Sequence, residues 1–492
     1  MKIDIIGSGF GGLSAAALLA KANHEVRLFE KNEMVGGRAS YHQDEGYTFD
    51  MGPSWYLMPD VFERFYDLCG KKPEDLFDLK RLDPSYRIFF EGGKRVDVHA
   101  DLERNYQLFD ELEKGGAEKL RKYLTSAKGM YDLAIRELLY RDYTKLTDFL
   151  DPRLIAQSRK LSIFKSLEAF VNQSFQSDEA RKIVEYSIGF LGGSPKNTPA
   201  FYHIMSHIDF DLGVWYPEGG MRKVASTMAD LAEGLGAEIR LDEEVKRIDV
   251  SGKRAQGVVT RNGANSSDAV VVNADYAHAE LDLLKPEHRT YDRKYWDKRV
   301  LAPSAFVAYL GVDAQFEELA HHTLFLEKDW AEGFDAIFDP SKAAWPANPS
   351  YYVNVPSRTD STAAPKGCDT LFILVPLAPG LEDTVPLREK FYQRIMGRLE
   401  ESIGEDVRDH VVTKRIFCLT DFAQRYNAFK GTALGLTHTM RQTALFRPAH
   451  RSKKVENLFY TGQYCHPGIG VPMTLISSTI VAKEIGKQPR RR

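Results

Sequence analysis

Residues 3–12, IDIIGSGFGG, carry an apolar run into Gly7, Gly9 and Gly12, the GxGxxG spacing of a turn that lets an anionic ligand approach the backbone. Side chains would block such a turn. The first glycine lets the chain tighten, the second admits a diphosphate, and the third lets a following helix, read over residues 13–22, pack on the strand. That helix aims unpaired N–H groups and the positive end of its dipole at the ligand. A second strand, residues 25–29, closes at Glu30, which lies 18 residues beyond Gly12. A carboxylate there accepts hydrogen bonds from a ribose diol and repels a 2′-phosphate. Gly36, Gly37 and Arg38 then offer a second close backbone approach with a cation beside the diphosphate. Asn23 stands where a glycine often ends the helix, and it tolerates the left-handed cap.

The far end supplies a complementary feature. In residues 457–485, NLFYTGQYCHPGIGVPMTLISSTIVAKEI, a strand at 458–461 passes Gly462, crosses a turn containing Pro467, Gly468, Gly470 and Pro472, and enters an apolar helix. Free N–H groups at that helix start suit a reduced flavin, which is negative around N1 and the C2 carbonyl.

These ends must be brought together by what lies between. Residues 101–189 read as several helices. A helix over 221–234 leads into a returning strand at 238–248, whose Val245 backbone edges an adenine ring. Residues 269–275, AVVVNAD, read as a buried parallel strand with polar residues at its carboxyl end, where ligands of α/β sheets sit. Further alternating runs fall at 255–260, 305–312, 351–355 and 371–376. The expected fold is α/β: a discontinuous Rossmann-type dinucleotide domain (1–75, 216–280 and 446–492) interrupted by a helical region (76–215) and a sheet-and-helix substrate domain (281–445).

A chain of 492 residues with 43% hydrophobic content has ample core for such an arrangement. The net charge of −3 argues against nucleic acid as a partner. Cys69, Cys368, Cys418 and Cys465 show no CxxC spacing, so neither a metal nor a disulfide framework is expected. With no signal-peptide pattern ahead of Ile3 and no apolar run of membrane-spanning length, the expectation is a cytoplasmic protein. Between residues 153 and 175, Leu161, Ile163, Phe164, Leu167, Phe170, Val171 and Phe175 recur at helical spacing among Arg153, Arg159, Lys160 and Lys165. Such a helix suits either an anionic membrane surface or a core-facing position. The terminal Arg490, Arg491 and Arg492 add weak surface attraction or form a frayed tail.

The whole chain resembles the bacterial and archaeal carotenoid desaturases of the phytoene desaturase type, within the flavin amine-oxidase-like superfamily. The resemblance rests on GSGFGGLSAAALLA, GGRAS, YTFDMGPSWY (47–56), GVWYPEGGM (213–221), TALGLTHTMRQTALFRP (432–448) and YTGQYCHPGIGVPMTLIS. It implies non-covalent FAD, a long apolar tunnel, peripheral association with the cytoplasmic membrane, and removal of hydrogens from a C40 polyene, with oxygen or a quinone taking the electrons. It assigns Gly7, Gly9, Phe10, Gly11, Gly12, Glu30, Lys31, Gly36, Gly37 and Arg38 to the adenosine diphosphate half. Val245 meets adenine, and Asn273 and Ala274 close their strand on the cofactor. Gly462, Gly470, Val471 and Met473 lie along the ribityl chain and isoalloxazine, and Asp50, Gly52 and Pro53 near the ring.

No carbonyl acidifies the C–H bonds of such a substrate. The expected route is hydride loss from an allylic carbon to flavin N5, followed by proton loss from the adjacent carbon, in a dry channel at near-attack distance. The resemblance points to Asp148 as the proton acceptor, with Asp142 and Asp151 as neighbours in the alignment; an Asp there also reads as a helix cap. His466 is a further candidate, equally readable as a hydrogen-bonded structural residue. Trp55, Tyr56, Trp215 and Tyr216 either line the channel or belong to the core. Competing readings are a hydroxycarotenoid desaturase, a carotene isomerase, a retinol saturase, an amine oxidase, and a prenyl-lipid carrier of the Rab GDP dissociation inhibitor type.

Overall fold

The computed structural model describes residues 1–142 and 165–488. Five parallel strands form the first sheet, in the order Leu458–Tyr460, Ala269–Val272, Lys2–Ile6, Glu25–Phe29 and Glu238–Arg240. Ile3 pairs with Ala269 on one side and Val26 on the other. The Ala269–Val272 strand is buried along its whole length, as a strand covered on both faces must be. Strands from the start, middle and end of the chain thus share one sheet.

Helix Phe10–Lys21 begins inside the glycine turn, three residues earlier than the sequence pattern predicts, because the turn itself forms its first coil. Its Ala15, Ala16 and Ala17 are fully buried. These small side chains admit the last helix, Val471–Gly486, and the Ser14 hydroxyl donates to Ser478 Oγ at 2.7 Å between them. Asn23 takes a left-handed φ of 60° just after the helix, as its tolerance for that conformation predicts.

The predicted strand over 238–248 is two strands. After Glu238–Arg240 the backbone N–H groups of Asp242 and Glu243 bond to the carbonyls of Asn32 and Glu30, and Asp242 turns at φ 52°. Val245–Ser251 then opens a separate antiparallel sheet with Arg254–Thr260 and Gly263–Ser266. The charged run LDEE lacks the apolar alternation that would carry one strand through.

A seven-stranded sheet stands beside the first, in the order Val411–Phe417, Ser304–Val312, Asp369–Leu377, Tyr351–Asn354, His322–Leu326, Tyr86–Phe90 and Arg95–Val98. Its pairs are antiparallel except for the parallel pair His322–Leu326 with Tyr86–Phe90. Side chains alternate between its faces. Phe306, Leu310, Leu371 and Ile373 pack with Phe391, Ile395 and Leu399 of helix Val385–Ile403. Val307, Phe372 and Leu374 face the opposite way, into a cavity.

Helices Leu102–Leu112, Gly116–Leu133, Leu167–Ser174 and Asp178–Glu185 fall in the stretch expected to be helical. Of the basic amphipathic pattern, residues 153–164 lie outside the described residues. Leu167, Val171 and Phe175 are buried in the core, which fits the core-facing alternative for that part. Among the described residues no helix is long and apolar enough to cross a membrane.

A Cβ on Gly12 would sit 2.0 Å from the Gly7 carbonyl oxygen, a backbone atom with nowhere to move. Gly12→Ala is therefore expected to lower the thermal unfolding temperature by several degrees and to abolish FAD retention, read by differential scanning fluorimetry and by absorbance of the purified protein.

Candidate active site

One cavity of about 580 Å³ runs from the glycine turn of the first strand to the inner face of the seven-stranded sheet. Every predicted cofactor residue except Gly12 and Asp50 stands on its wall. The two ends of the chain meet there. A Cβ on Gly11 would lie 2.4 Å from the Asn273 side-chain oxygen and 3.5 Å from Gly462 Cα, so both glycine segments close on one space. Asn273 Nδ2 donates to the Gly7 carbonyl at 3.3 Å, pinning the turn.

The cradle is formed and open. Gly9 precedes the Phe10–Lys21 helix with no side chain capping it, and Gly7 holds a φ of 95°. Gly36 bridges to Gly9, and a Cβ on Gly37 would lie 3.2 Å from Gly9 Cα. Beside them Arg38 buries Nε and Nη2 without a hydrogen-bond partner, its guanidinium 5.3 Å from the centre of the Tyr426 ring. Buried cationic donors of this kind fit an anionic ligand. Glu30 is buried, accepting from Ser8 N and Oγ at 2.8 Å each and from Asn32 N and Nδ2 at 2.9 and 2.8 Å. These bonds orient a carboxylate on the cavity wall, where a ribose is expected. Lys31 Nζ, by contrast, is drawn to the Gln424 carbonyl at 2.7 Å. The empty donors of Arg38 and the side-chain-free cradle fit the diphosphate of FAD.

Asp50 does not face this space. Its carboxylate accepts from the N–H groups of Met221 (2.7 Å) and Arg222 (3.1 Å), capping helix Met221–Gly234, while Gly52 and Pro53 continue onto the wall. Gly12 lies beneath the turn, where its role is packing.

The rest of the cavity is largely apolar, with the buried Glu327 as a carboxylate on its wall. Val307, Leu324, Leu326, Phe372 and Leu374 project from the sheet, and Trp330, Phe334 and Ile337 from helix Trp330–Phe338. Of the four aromatics singled out in the sequence only Trp55 lines it, stacked on His322 with ring centroids 4.0 Å apart. Tyr56 is core, stacked on Phe62; Trp215 donates to the Leu212 carbonyl and Tyr216 to Asp360. Asp148 and Asp151 lie outside the described residues. Asp142 is half-buried away from the wall, and His466 sits behind it, bonded to the Leu139 carbonyl at 3.2 Å.

Several polar wall residues escaped the sequence reading. The Ile469 N–H donates to His438 Nε2 at 3.0 Å, so Nδ1 carries the proton and donates to Tyr202 Oη at 2.6 Å, and Tyr202 donates to Thr443 Oγ1. Burial holds His438 neutral, well below the usual imidazole range. Tyr186 on the wall and Tyr86 behind it both donate to buried Asp209, whose carboxyl burial pushes up to about 7. His438 and Thr443 fall within the 432–448 motif, which does not mark them as wall residues, and their bonds to Tyr202, like those of Tyr86 and Tyr186 to Asp209, are made only by the fold. Among the described residues no cluster could hold a metal ion.

A family model for flavin containing amine oxidoreductases matches residues 10–486. The chain is 47% identical over 487 residues, 98% of its length and 97% of the relative's, to a carotenoid 3,4-desaturase of Haloarcula japonica. It is 33% identical over 491 residues, 98% of its length and 93% of the relative's, to a zeta-carotene-forming phytoene desaturase of Myxococcus xanthus. An oxidoreductase of Methanosarcina mazei superposes with a TM-score of 0.63 at 17% identity, covering 99% of this chain and 100% of its own, a likeness of fold alone. The chain therefore belongs to the flavin-containing amine oxidoreductase family, in its carotenoid desaturase branch. It is an FAD-dependent oxidoreductase.

Glu30→Ala is expected to weaken FAD binding by about tenfold, the worth of about one charge-assisted hydrogen bond, measured by titrating apoprotein with FAD. Burial holds His466 at a pKa of about 3, against about 6.5 when unfolded. Below pH 6.5 unfolding then takes up a proton at this site, so its contribution to stability falls as pH drops toward 3. His466→Gln should flatten the dependence of unfolding free energy on pH across that window by up to one proton relative to wild type, measured by denaturant titration.

Proposed function

We propose that the protein desaturates a linear carotenoid, removing two hydrogens from adjacent CH groups, with phytoene toward neurosporene or lycopene as the reaction the sequence favours. One observation carries this reading: the cavity that begins at Gly7, Arg38 and Gly462 continues without interruption between Leu324, Phe372 and Leu374. A polyene lying on that apolar wall points its middle or end at the cofactor cradle.

Bound FAD supplies the two-electron acceptor that takes hydrogen as hydride. Everything else is asked of the protein. Glu30, Gly37 and Arg38 hold the adenosine diphosphate half, and Gly470, Val471 and Met473 border the ring at the helix start. The leucines and phenylalanine of the sheet align the chain and exclude water, which matters because positive charge develops on the substrate. Trp55, held flat by His322, presents an aromatic face to that charge. Asp148 is the proposed proton acceptor.

The substrate is nearly insoluble in water, which supports action as a peripheral protein at the cytoplasmic membrane surface, with oxygen or a quinone reoxidising the flavin. The prenyl-lipid carrier reading is not favoured by the open Arg38 donors and the carotenoid-desaturase relatives.

Purified protein with FAD and phytoene-loaded liposomes is expected to yield products of longer chromophore, resolved by absorbance-monitored chromatography, with oxygen or an added quinone as acceptor. Since one relative acts, by its name, at the 3,4-position, more unsaturated linear carotenes belong in the same assay. Gly9→Val is expected to abolish both FAD binding and product. Absence of product from every linear carotene by FAD-loaded protein would overturn the proposal.

A further inference from the structure

Arg447 lies one layer behind the cavity wall, 5% exposed, just after the short turn Ala444–Phe446. Its guanidinium makes five hydrogen bonds, all to backbone carbonyls. Nε donates to Tyr464 (3.2 Å) and Cys465 (3.1 Å), Nη1 to Gln442 (3.1 Å), and Nη2 to Leu436 (3.1 Å) and Gln463 (2.6 Å). Carbonyls satisfy the N–H groups without cancelling the charge. No carboxylate lies within ion-pairing distance of it among the described residues.

Among the described residues the groups bonded to Arg447 do not offset that charge, although the Asp142 carboxylate acts on the adjoining Cys465 and His450. Burial and the guanidinium itself hold His438 neutral, burial and His450 hold His466 neutral, and burial keeps the Tyr202 and Tyr464 hydroxyls and the Cys465 thiol protonated. Arg447 remains charged at neutral pH, since burial brings it down only to about 10. A buried cation without a counter-ion is costly unless something bound supplies the negative charge.

Its position says where that charge would be. The Gln463 and Tyr464 carbonyls it holds belong to residues on the wall. A Cβ on Gly468 would lie 3.3 Å from Arg447 Cζ, and Gly468 stands two residues before Gly470, which opens helix Val471–Gly486. The guanidinium and the positive helix end therefore add their potentials on the same side of the cavity.

We infer that Arg447 is a fixed positive charge that stabilises negative charge on the pyrimidine edge of bound FAD and so favours its reduction; the inference rests on the FAD reading of this cavity. Arg447 does not line the cavity, so it would act as a positioning charge behind the wall. It tunes the flavin by its charge, acting across the turn it holds.

The test is the midpoint potential of FAD-loaded wild type, Arg447→Lys, Arg447→Gln and Arg447→Met, measured by dye-coupled reduction. Gln and Met are expected to move the reduction equilibrium about tenfold toward oxidised FAD, which is about 30 mV for a two-electron couple, while Lys stays close to wild type. Equal shifts in all three variants would mean that only the clamp geometry matters and would overturn the inference, as would no shift in Gln and Met. If the variants fail to fold, wild-type apoprotein loaded with 8-mercapto-FAD decides the matter. Its absorbance shifts when negative charge is drawn to the N1–C2 edge, and an unshifted spectrum overturns the inference. Failure of wild-type protein to bind any FAD would instead refute the cofactor reading, a distinguishable outcome.

Discussion

The structure depends on the closeness of two backbones that carry no side chains at their point of approach. The turn through Gly9 and Gly11, Asn273 just after the strand Ala269–Val272, and Gly462 near the end of the chain crowd one space, and a single added Cβ at Gly11 or Gly12 would meet an oxygen well inside van der Waals contact. Alanines on the first helix and the Ser14–Ser478 hydrogen bond let the last helix settle against it. From this follows the sheet order, with first and last strands flanking Ala269–Val272. The cavity forms between that junction and the second sheet, so the cofactor cradle and the apolar wall are consequences of one packing event.

Much of this was legible because its signals are local. A glycine spacing, a carboxylate at the end of the second strand and an alternating apolar run each act within one turn or strand, and the helix Met221–Gly234 and the strand Glu25–Phe29 fall where their patterns put them. The misreadings arise where an interaction spans the chain. Asp50 looked like a ring neighbour because it adjoins Gly52, yet it caps a helix 171 residues away. The reading of 238–248 as one strand ran through LDEE, a charged run whose missing apolar alternation marks the break between two strands. Tyr216, for which channel and core both stood open, takes the core alternative, and its hydroxyl bonds to Asp360, 144 residues distant.

The wall itself was the least legible part. Val307 and Phe372 read only as alternating strand residues, the strand carrying Leu324 was not anticipated, and which face meets helix Val385–Ile403 and which lines the cavity is set by the whole sheet. His438 and Arg447 share the 432–448 motif, but Tyr202 comes from a distant stretch and the three act as a group only in three dimensions. Polar groups buried this way are paired or held neutral, as His438 and His466 are, while Arg38 stands on the wall and Arg447 lies one layer behind it as buried cations. A site with positive charge at one end and hydrocarbon at the other suits a reaction that sends electrons toward the nucleotide while the substrate carries none of its own polarity.

The central claim is that cofactor ring and hydrocarbon share one cavity. Anaerobic stopped-flow mixing of FAD-loaded protein with phytoene in liposomes measures this directly. The account predicts bleaching of the oxidised flavin band, with one double bond gained per flavin reduced. Flavin that stays oxidised against phytoene and every more unsaturated linear carotene, while a chemical reductant bleaches it readily, would contradict it.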